Sequence, residues 1–160
     1  MEKIIFLFIV LFSFSCNSKN SELLPKEEPM PNNDLEAKVT SVDISGPPKA
    51  YRFNVEISSP DTGCEQYADW WEVISPEGEL IARRILGHSH VNEQPFKRST
   101  EPVVIEPDQT VLIRAHMNNL GYGTTILKGT VASGFLSDTL NASFAKSLET
   151  KPPLPGNCAF

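Results

Sequence analysis

The chain lacks the sequence signatures of the common enzyme classes. It contains no Gly-x-Ser-x-Gly motif of serine hydrolases, no His-Glu-x-x-His motif of zinc proteases and no glycine-rich loop that could hold a phosphate. Basic residues are also scarce, with 14 Lys and Arg against 20 Asp and Glu in 160 residues, and they form no extended run. Because an acidic surface repels a phosphate backbone, we expect no nucleic-acid partner. A conventional hydrolase or nucleotide enzyme is likewise disfavoured.

The hydrophobic runs of the chain are too short to cross a membrane as a helix. The longest covers residues 4–14, which are apolar except for Ser13. A helix of that length measures about 16 Å, whereas the hydrocarbon core of a bilayer is about 30 Å thick. Since Lys3 precedes this run and small polar residues end it, residues 1–15 are predicted to be a secretory signal peptide.

Cys16 follows the small residue Ser15 directly, and a polar stretch begins at Asn17. This arrangement resembles the signal of bacterial lipoproteins. The resemblance implies cleavage before Cys16 and attachment of palmitate-type acyl chains to Cys16, which anchor such proteins to the membrane. In that family Asn17 is compatible with the outer membrane of the cell envelope, on its periplasmic face or at the cell surface. The alternative is an ordinary cleaved signal that ends at a cysteine by chance.

The residues after Cys16 have the composition of a linker. Residues 16–36 contain Pro25, Pro29 and Pro31 among charged and Asn residues, with no apolar period. Such a segment is predicted to be a flexible tether between the lipid and a folded domain.

From residue 37 onward the apolar residues alternate with polar ones, as in β-strands. The clearest case is the segment 51–57, and Gly78 lies in a Pro-Glu-Gly sequence suited to a hairpin turn. Strands are predicted at 40–44, 51–57, 68–75, 79–86, 103–106, 110–117 and 124–131. This pattern predicts an all-β fold, an antiparallel immunoglobulin-like β-sandwich of about seven strands over residues 37–134. Residues 135–160 are predicted to form a C-terminal extension with a short helix at 142–148.

Two pairs of residues carry further structural predictions. Trp71 shares strand parity with Val73 and is expected in the core, whereas Trp70 has the opposite parity and is expected to be partly exposed. Cys64 and Cys158 form an even pair in an exported chain, so a disulfide is the simplest interpretation. Metal ligation by their thiolates lacks the usual Cys-x-x-Cys spacing.

The three histidines are candidates for a metal site. His88 and His90 are two residues apart, so an extended backbone places both imidazoles on one face, and His116 lies on another predicted strand with polar parity. If the strands are neighbours, the three nitrogens could bind zinc or copper, with water, Glu93 or Met117 as a fourth ligand. The parity of Met117 favours burial instead. The His-x-His spacing followed by Glu93 also resembles part of the cupin metal motif. The simpler alternative is that these are ordinary surface histidines.

A second candidate site uses charge. Arg84 and Arg114 share outward parity in the predicted strands with the histidines, which predicts a basic surface for carboxylates or anionic glycans. Separately, residues 138–140, Asp-Thr-Leu, resemble the O-glycosylation site of exported Bacteroidota proteins.

Three functional hypotheses follow from the sequence. The leading one is a membrane-anchored exported lipoprotein that acts as a binding or envelope-accessory module for an unidentified envelope ligand or protein. The second is a periplasmic copper- or zinc-binding protein that uses His88, His90 and His116. The third is a metallohydrolase with Glu93 as its base, for which the sequence offers least support.

Overall fold

The computed structural model describes residues 35–159. The predicted signal peptide 1–15, the predicted lipidation site Cys16 and most of the tether lie outside the described residues. The described part of the chain contains nine β-strands and one short 3-10 helix, Lys146–Thr150. It contains no helix long and apolar enough to cross a membrane.

The strands form two antiparallel sheets, which confirms the all-β sandwich. The smaller sheet has the order β1-β2-β5 and consists of β1 (Lys38–Ser45), β2 (Arg52–Ser58) and β5 (Phe96–Ser99). The larger sheet has the order β4-β3-β6-β8-β9, with the two-residue β7 paired to β6. Its strands are β3 (Ala68–Ile74), β4 (Leu80–Ile85), β6 (Val111–Met117), β7 (Gly121–Tyr122), β8 (Thr125–Thr130) and β9 (Gly134–Thr139).

The main core lies between the two sheets. On β2 the alternation places Phe53, Val55 and Ile57 inside, each with 0% exposure. Trp71 is also fully buried there, as its parity predicts. Because a buried aromatic side chain removes a large apolar area from water, this core is the main source of the stability of the sandwich.

A second apolar cluster covers the opposite face of the larger sheet. It contains Trp70 and Ile74 of β3, Leu112 of β6 and Leu148 of the 3-10 helix. The C-terminal segment, residues 140–159, therefore packs on this face as a third layer. For this reason Trp70 is only 3% exposed, and the prediction of partial exposure is wrong.

The secondary structure differs from the predictions in three main respects, two in the strands and one in the helical turn. The predicted strand at 103–106 makes only an isolated bridge, between Val103 and Tyr51, whereas Phe96–Ser99 forms a strand. The larger sheet continues through Thr139, because β8 and β9 form a hairpin in which Gly134 adopts a φ of 85°. The helical turn is a 3-10 helix at 146–150 rather than a helix at 142–148.

A disulfide joins Cys64 to Cys158 across a sequence separation of 94 residues. This confirms the predicted pair. The bond attaches the end of the C-terminal segment to the loop between β2 and β3. Next to it, the backbone N–H of Ala159 donates a hydrogen bond to the carbonyl of Gly87, at 2.8 Å.

Candidate functional site

The outer face of the larger sheet carries a buried aspartate–histidine pair. His116 Nδ1 lies 2.7 Å from Asp69 Oδ1, and the two side chains are 8% and 5% exposed. A bulge in β3 produces this contact, because Ala68 pairs with Met117 whereas Trp70 pairs with His116, which leaves Asp69 as the extra residue. Such a bulge re-aims a side chain relative to the regular alternation. Strand parity alone therefore could not have identified Asp69.

Aromatic rings fix the orientation of the His116 imidazole. The ring of Trp70 stacks on it at a centroid distance of 3.6 Å and an interplanar angle of 9°. The ring of Tyr122 meets it edge to face at 4.9 Å. With Asp69 bound at Nδ1 and one face covered by Trp70, Nε2 is the nitrogen of His116 that remains available for other partners.

A cavity of about 550 Å³ opens beside this pair. Its walls include Asp69, His116 and the turn after β6, and its far side is formed by Lys146 and Glu149 of the C-terminal segment. Glu149 Oε1 is 3.8 Å from His116 Nε2. The cavity thus brings together an imidazole, two carboxyl groups and one ammonium group from the sheet and from the segment that covers it.

Burial alters the proton affinity of Asp69. It raises the pKa of Asp69 above its usual range, and the hydrogen bond and positive charge of His116 partly oppose that rise. Chemically, a carboxylate that holds one imidazole nitrogen positions the other to accept or donate a proton or to hydrogen-bond a ligand.

Next to the cavity, a buried ionic cluster joins the sheet to the C-terminal segment. Glu72 on β3 lies between Arg83 on β4 and Arg114 on β6, because both arginines are its cross-strand partners. The closest nitrogen–oxygen distances are 2.6 Å to Arg83 and 2.7 Å to Arg114, and all three side chains are 0% exposed. The remaining guanidinium hydrogens donate to backbone carbonyls of the C-terminal segment, at Phe144, Ala145, Leu148, Lys151 and Pro153.

This cluster corrects the predicted anion-binding surface. Arg114 is fully buried and its hydrogen bonds are used by Glu72 and by carbonyl groups. Arg84 is exposed. It lies on β4 directly opposite Trp71 of β3, so it is on the face of the sheet that Trp71 directs toward the core. Arg84 and Arg114 therefore lie on opposite faces and form no common surface. Arg83, the neighbour of Arg84 in sequence, is the residue that joins Arg114 in binding Glu72.

The structure separates the three histidines of the predicted metal site. His116 is engaged by Asp69, whereas His88 and His90 lie together in the loop after β4, with ring centroids 4.5 Å apart. Within residues 35–159, no group of three or more His, Cys, Asp or Glu side chains is arranged to hold a metal ion. Met117 has 0% exposure in the core, as its parity predicts, and both carboxylate oxygens of Glu93 accept hydrogen bonds from Arg98.

Comparison with known proteins gives one relevant similarity. The chain is 38% identical over 89 residues to a protein of Halomicrobium mukohataei named "Putative lipoprotein". The match covers 55% of this chain and 44% of that protein, so the chain spans less than half the length of this relative. No protein-family model matches the chain, and no solved structure matches it.

Proposed function

We propose that the protein is a membrane-anchored exported lipoprotein whose β-sandwich is a binding module of the cell envelope. The observation that carries the proposal is Cys16, placed directly after an apolar leader that is too short to span a bilayer. The name of the Halomicrobium protein supports it. The disulfide between Cys64 and Cys158 is also in keeping with export, because such bonds persist in oxidising compartments.

Metabolic labelling with palmitate tests the anchor. The unaltered chain should incorporate the label and partition into detergent, and Cys16→Ser should abolish both. Cys158→Ser is the matched control, since it also removes one cysteine, a member of the disulfide, but leaves the lipid attachment site intact. Labelling that persists in Cys16→Ser, or is absent from the unaltered chain, would refute the lipoprotein assignment. Separation of inner and outer membranes by density then tests the outer-membrane location, for which Asn17 is the supporting residue.

We place the ligand site of the module in the cavity beside His116. Its volume of about 550 Å³ is within the range of small-molecule sites. Asp69, Glu149 and His116 offer hydrogen-bonding groups, and among the described residues of the wall Lys146 supplies the ammonium group. This balance suits a small ligand with hydroxyl or ammonium groups, which can donate to the carboxylates.

Nuclear magnetic resonance can test this site with defined probes. The indole N–H signal of Trp70, stacked on His116, should shift in a saturable way with at least one of glucose, putrescine or glycine. His116→Gln should weaken that binding, whereas His88→Gln, which alters a histidine outside the cavity, should leave it unchanged. No shift with any of the three, or an equal shift in His116→Gln, would reject this ligand class for the cavity.

A further inference from the structure

Lys146 and Glu149 place opposite charges on one wall of the cavity beside His116. Both belong to the 3-10 helix of the C-terminal segment. Residues three apart in such a helix lie on the same side of it, and their backbones are separated by about 6 Å. Among the residues that the structure describes, no ion pair joins these two side chains; Glu149 instead approaches His116. The wall therefore presents one negative and one positive group that do not neutralise each other.

The negative end of this wall has two hydrogen-bond acceptors close together. Glu149 Oε1 is 3.8 Å from His116 Nε2. A neutral imidazole that donates its Nδ1 hydrogen to Asp69 keeps a lone pair at Nε2. An ammonium group carries three N–H donors and can donate to the carboxylate and to Nε2 at the same time, whereas a hydroxyl group has one hydrogen. A ligand ammonium group is therefore the better fit at this end.

The positive end of the wall suits a carboxylate. Lys146 is exposed, and its ammonium group binds carboxylates through charge-assisted hydrogen bonds. In an α-amino acid the nitrogen and the carboxylate carbon are about 2.5 Å apart. A hydrogen bond of about 2.9 Å at each end brings the span between the two protein groups to at most about 8 Å. That span matches two side chains whose backbones are about 6 Å apart. Each further residue of a peptide would add roughly 3.5 Å.

Apolar side chains line another part of the same cavity. Leu120, in the turn after β6, is 54% exposed, and Leu154, in the C-terminal segment, is 44% exposed. Pro155 lies next to Leu154 in the wall. A single exposed leucine is ordinary on a protein surface, but two leucines from different segments that line one cavity offer apolar area to a ligand. The lining thus combines an ammonium site, a carboxylate site and an apolar surface.

We propose that the cavity binds a free α-amino acid with an apolar side chain. The ammonium group of the ligand donates to Glu149 and to His116 Nε2, and its carboxylate accepts from Lys146. The ligand side chain packs against Leu120 and Leu154. This inference rests on the proposed function, because it names the ligand class of the same cavity. It is more specific, since all three groups of the ligand are required.

Isothermal titration of the full chain in detergent micelles tests the proposal with L-leucine and three analogues. Each analogue lacks one group: glycine lacks the side chain, 3-methylbutylamine lacks the carboxylate and 4-methylpentanoate lacks the ammonium group. One leucine should bind per chain. Each analogue should bind at least about tenfold more weakly, the loss expected when a charged hydrogen-bonding group or an apolar side chain is missing.

Lys146→Gln isolates the contact with the ligand carboxylate. Because Lys146 is exposed, this change should leave the fold intact. It should weaken the binding of leucine by about tenfold and leave the binding of 3-methylbutylamine, which has no carboxylate, unchanged. Lys151→Gln is the matched control, because Lys151 is an exposed lysine of the same segment that does not line the cavity. It should bind leucine as the unaltered chain does.

The amino-acid assignment is wrong if leucine binds no more tightly than its analogues, or if Lys146→Gln binds leucine as tightly as the unaltered chain. The indole N–H signal of Trp70 distinguishes this failure from failure of the ligand site itself. If glucose or putrescine shifts that signal while leucine does not bind, the cavity is a ligand site for another class of compound. If none of these compounds binds, the ligand site and the amino-acid assignment are both wrong.

Discussion

Glu72 offers a sharp test of how the C-terminal segment is held on the larger sheet. Its carboxylate receives hydrogen bonds of 2.8 Å and 2.6 Å from Arg83, and one of 2.8 Å from Arg114 Nε. All three side chains are fully buried. Replacing Glu72 by Gln keeps its shape but removes its charge and one of its two acceptor oxygens. Two buried guanidinium groups are then left without a carboxylate to balance their charges.

The expected loss in the free energy of unfolding follows from the burial of these three side chains. Removing one member of a buried ion pair typically costs about 3–5 kcal/mol, because the other charge stays behind without compensation. At this chain length, such a loss lowers Tm by on the order of 10 °C. Glu93→Gln is the matched control, since Glu93 is 57% exposed and pairs with Arg98 at the surface. An exposed pair of that kind contributes no more than about 1 kcal/mol.

Urea unfolding followed by tryptophan fluorescence measures both variants on the same scale. Hydrogen exchange adds a local readout, because the two arginines donate to carbonyls at Phe144, Ala145 and Leu148. Amides of the 3-10 helix should lose protection in Glu72→Gln and keep it in Glu93→Gln. Equal stability losses in the two variants, within about 1 kcal/mol, would refute the reasoning that the buried cluster holds this layer.

Three further predictions concern stability. Cys158→Ser removes the disulfide, whose two cysteines are 94 residues apart in the sequence. It should lower the free energy of unfolding by up to about 4.7 kcal/mol, measured by urea titration. Gly123→Ala should lower the thermal midpoint of unfolding, because the added methyl group would clash with the backbone carbonyl of Ala37. Gly156→Ala is the control and should leave the midpoint unchanged, since no atom lies within 4 Å of the added methyl group. The third concerns pH: since burial raises the folded-state pKa of Asp69, the folded chain binds that proton more tightly than the unfolded chain does. As pH rises from about 4, the unaltered chain should therefore lose stability relative to Asp69→Asn in paired urea titrations; a constant difference would contradict this.

The sequence predicted the features that depend on short-range alternation. On β2 the period of two placed Phe53, Val55 and Ile57 in the core, and on β3 it placed Trp71 there. It also predicted the pair of Cys64 and Cys158, because two cysteines remain once Cys16 is assigned to the anchor. These predictions succeed because strand parity and cysteine number require no knowledge of distant contacts.

The candidate site depends on features that alternation does not encode. The bulge at Asp69 moves one side chain out of the regular pattern and toward His116. Glu149 enters the site from the C-terminal segment, 33 residues after His116 and outside the predicted sandwich. Neither position could be found without the register of β3 against β6 and the path of the chain after β9.

The alternation of side chains along β3 and β6 identified the outward face of the larger sheet, but it did not show which segment covers that face. On β3 the outward positions are Trp70, Glu72 and Ile74, and on β6 they include Leu112 and Arg114. A solvent-exposed face would not need large apolar residues at the same parity as its charges, so this mixture is the sequence signal of a third layer. The two arginines on this face donate hydrogen bonds to backbone carbonyls of the covering segment, which would otherwise be buried without a partner. Because the same segment supplies one wall of the cavity, the proposed ligand site requires this layer to be in place.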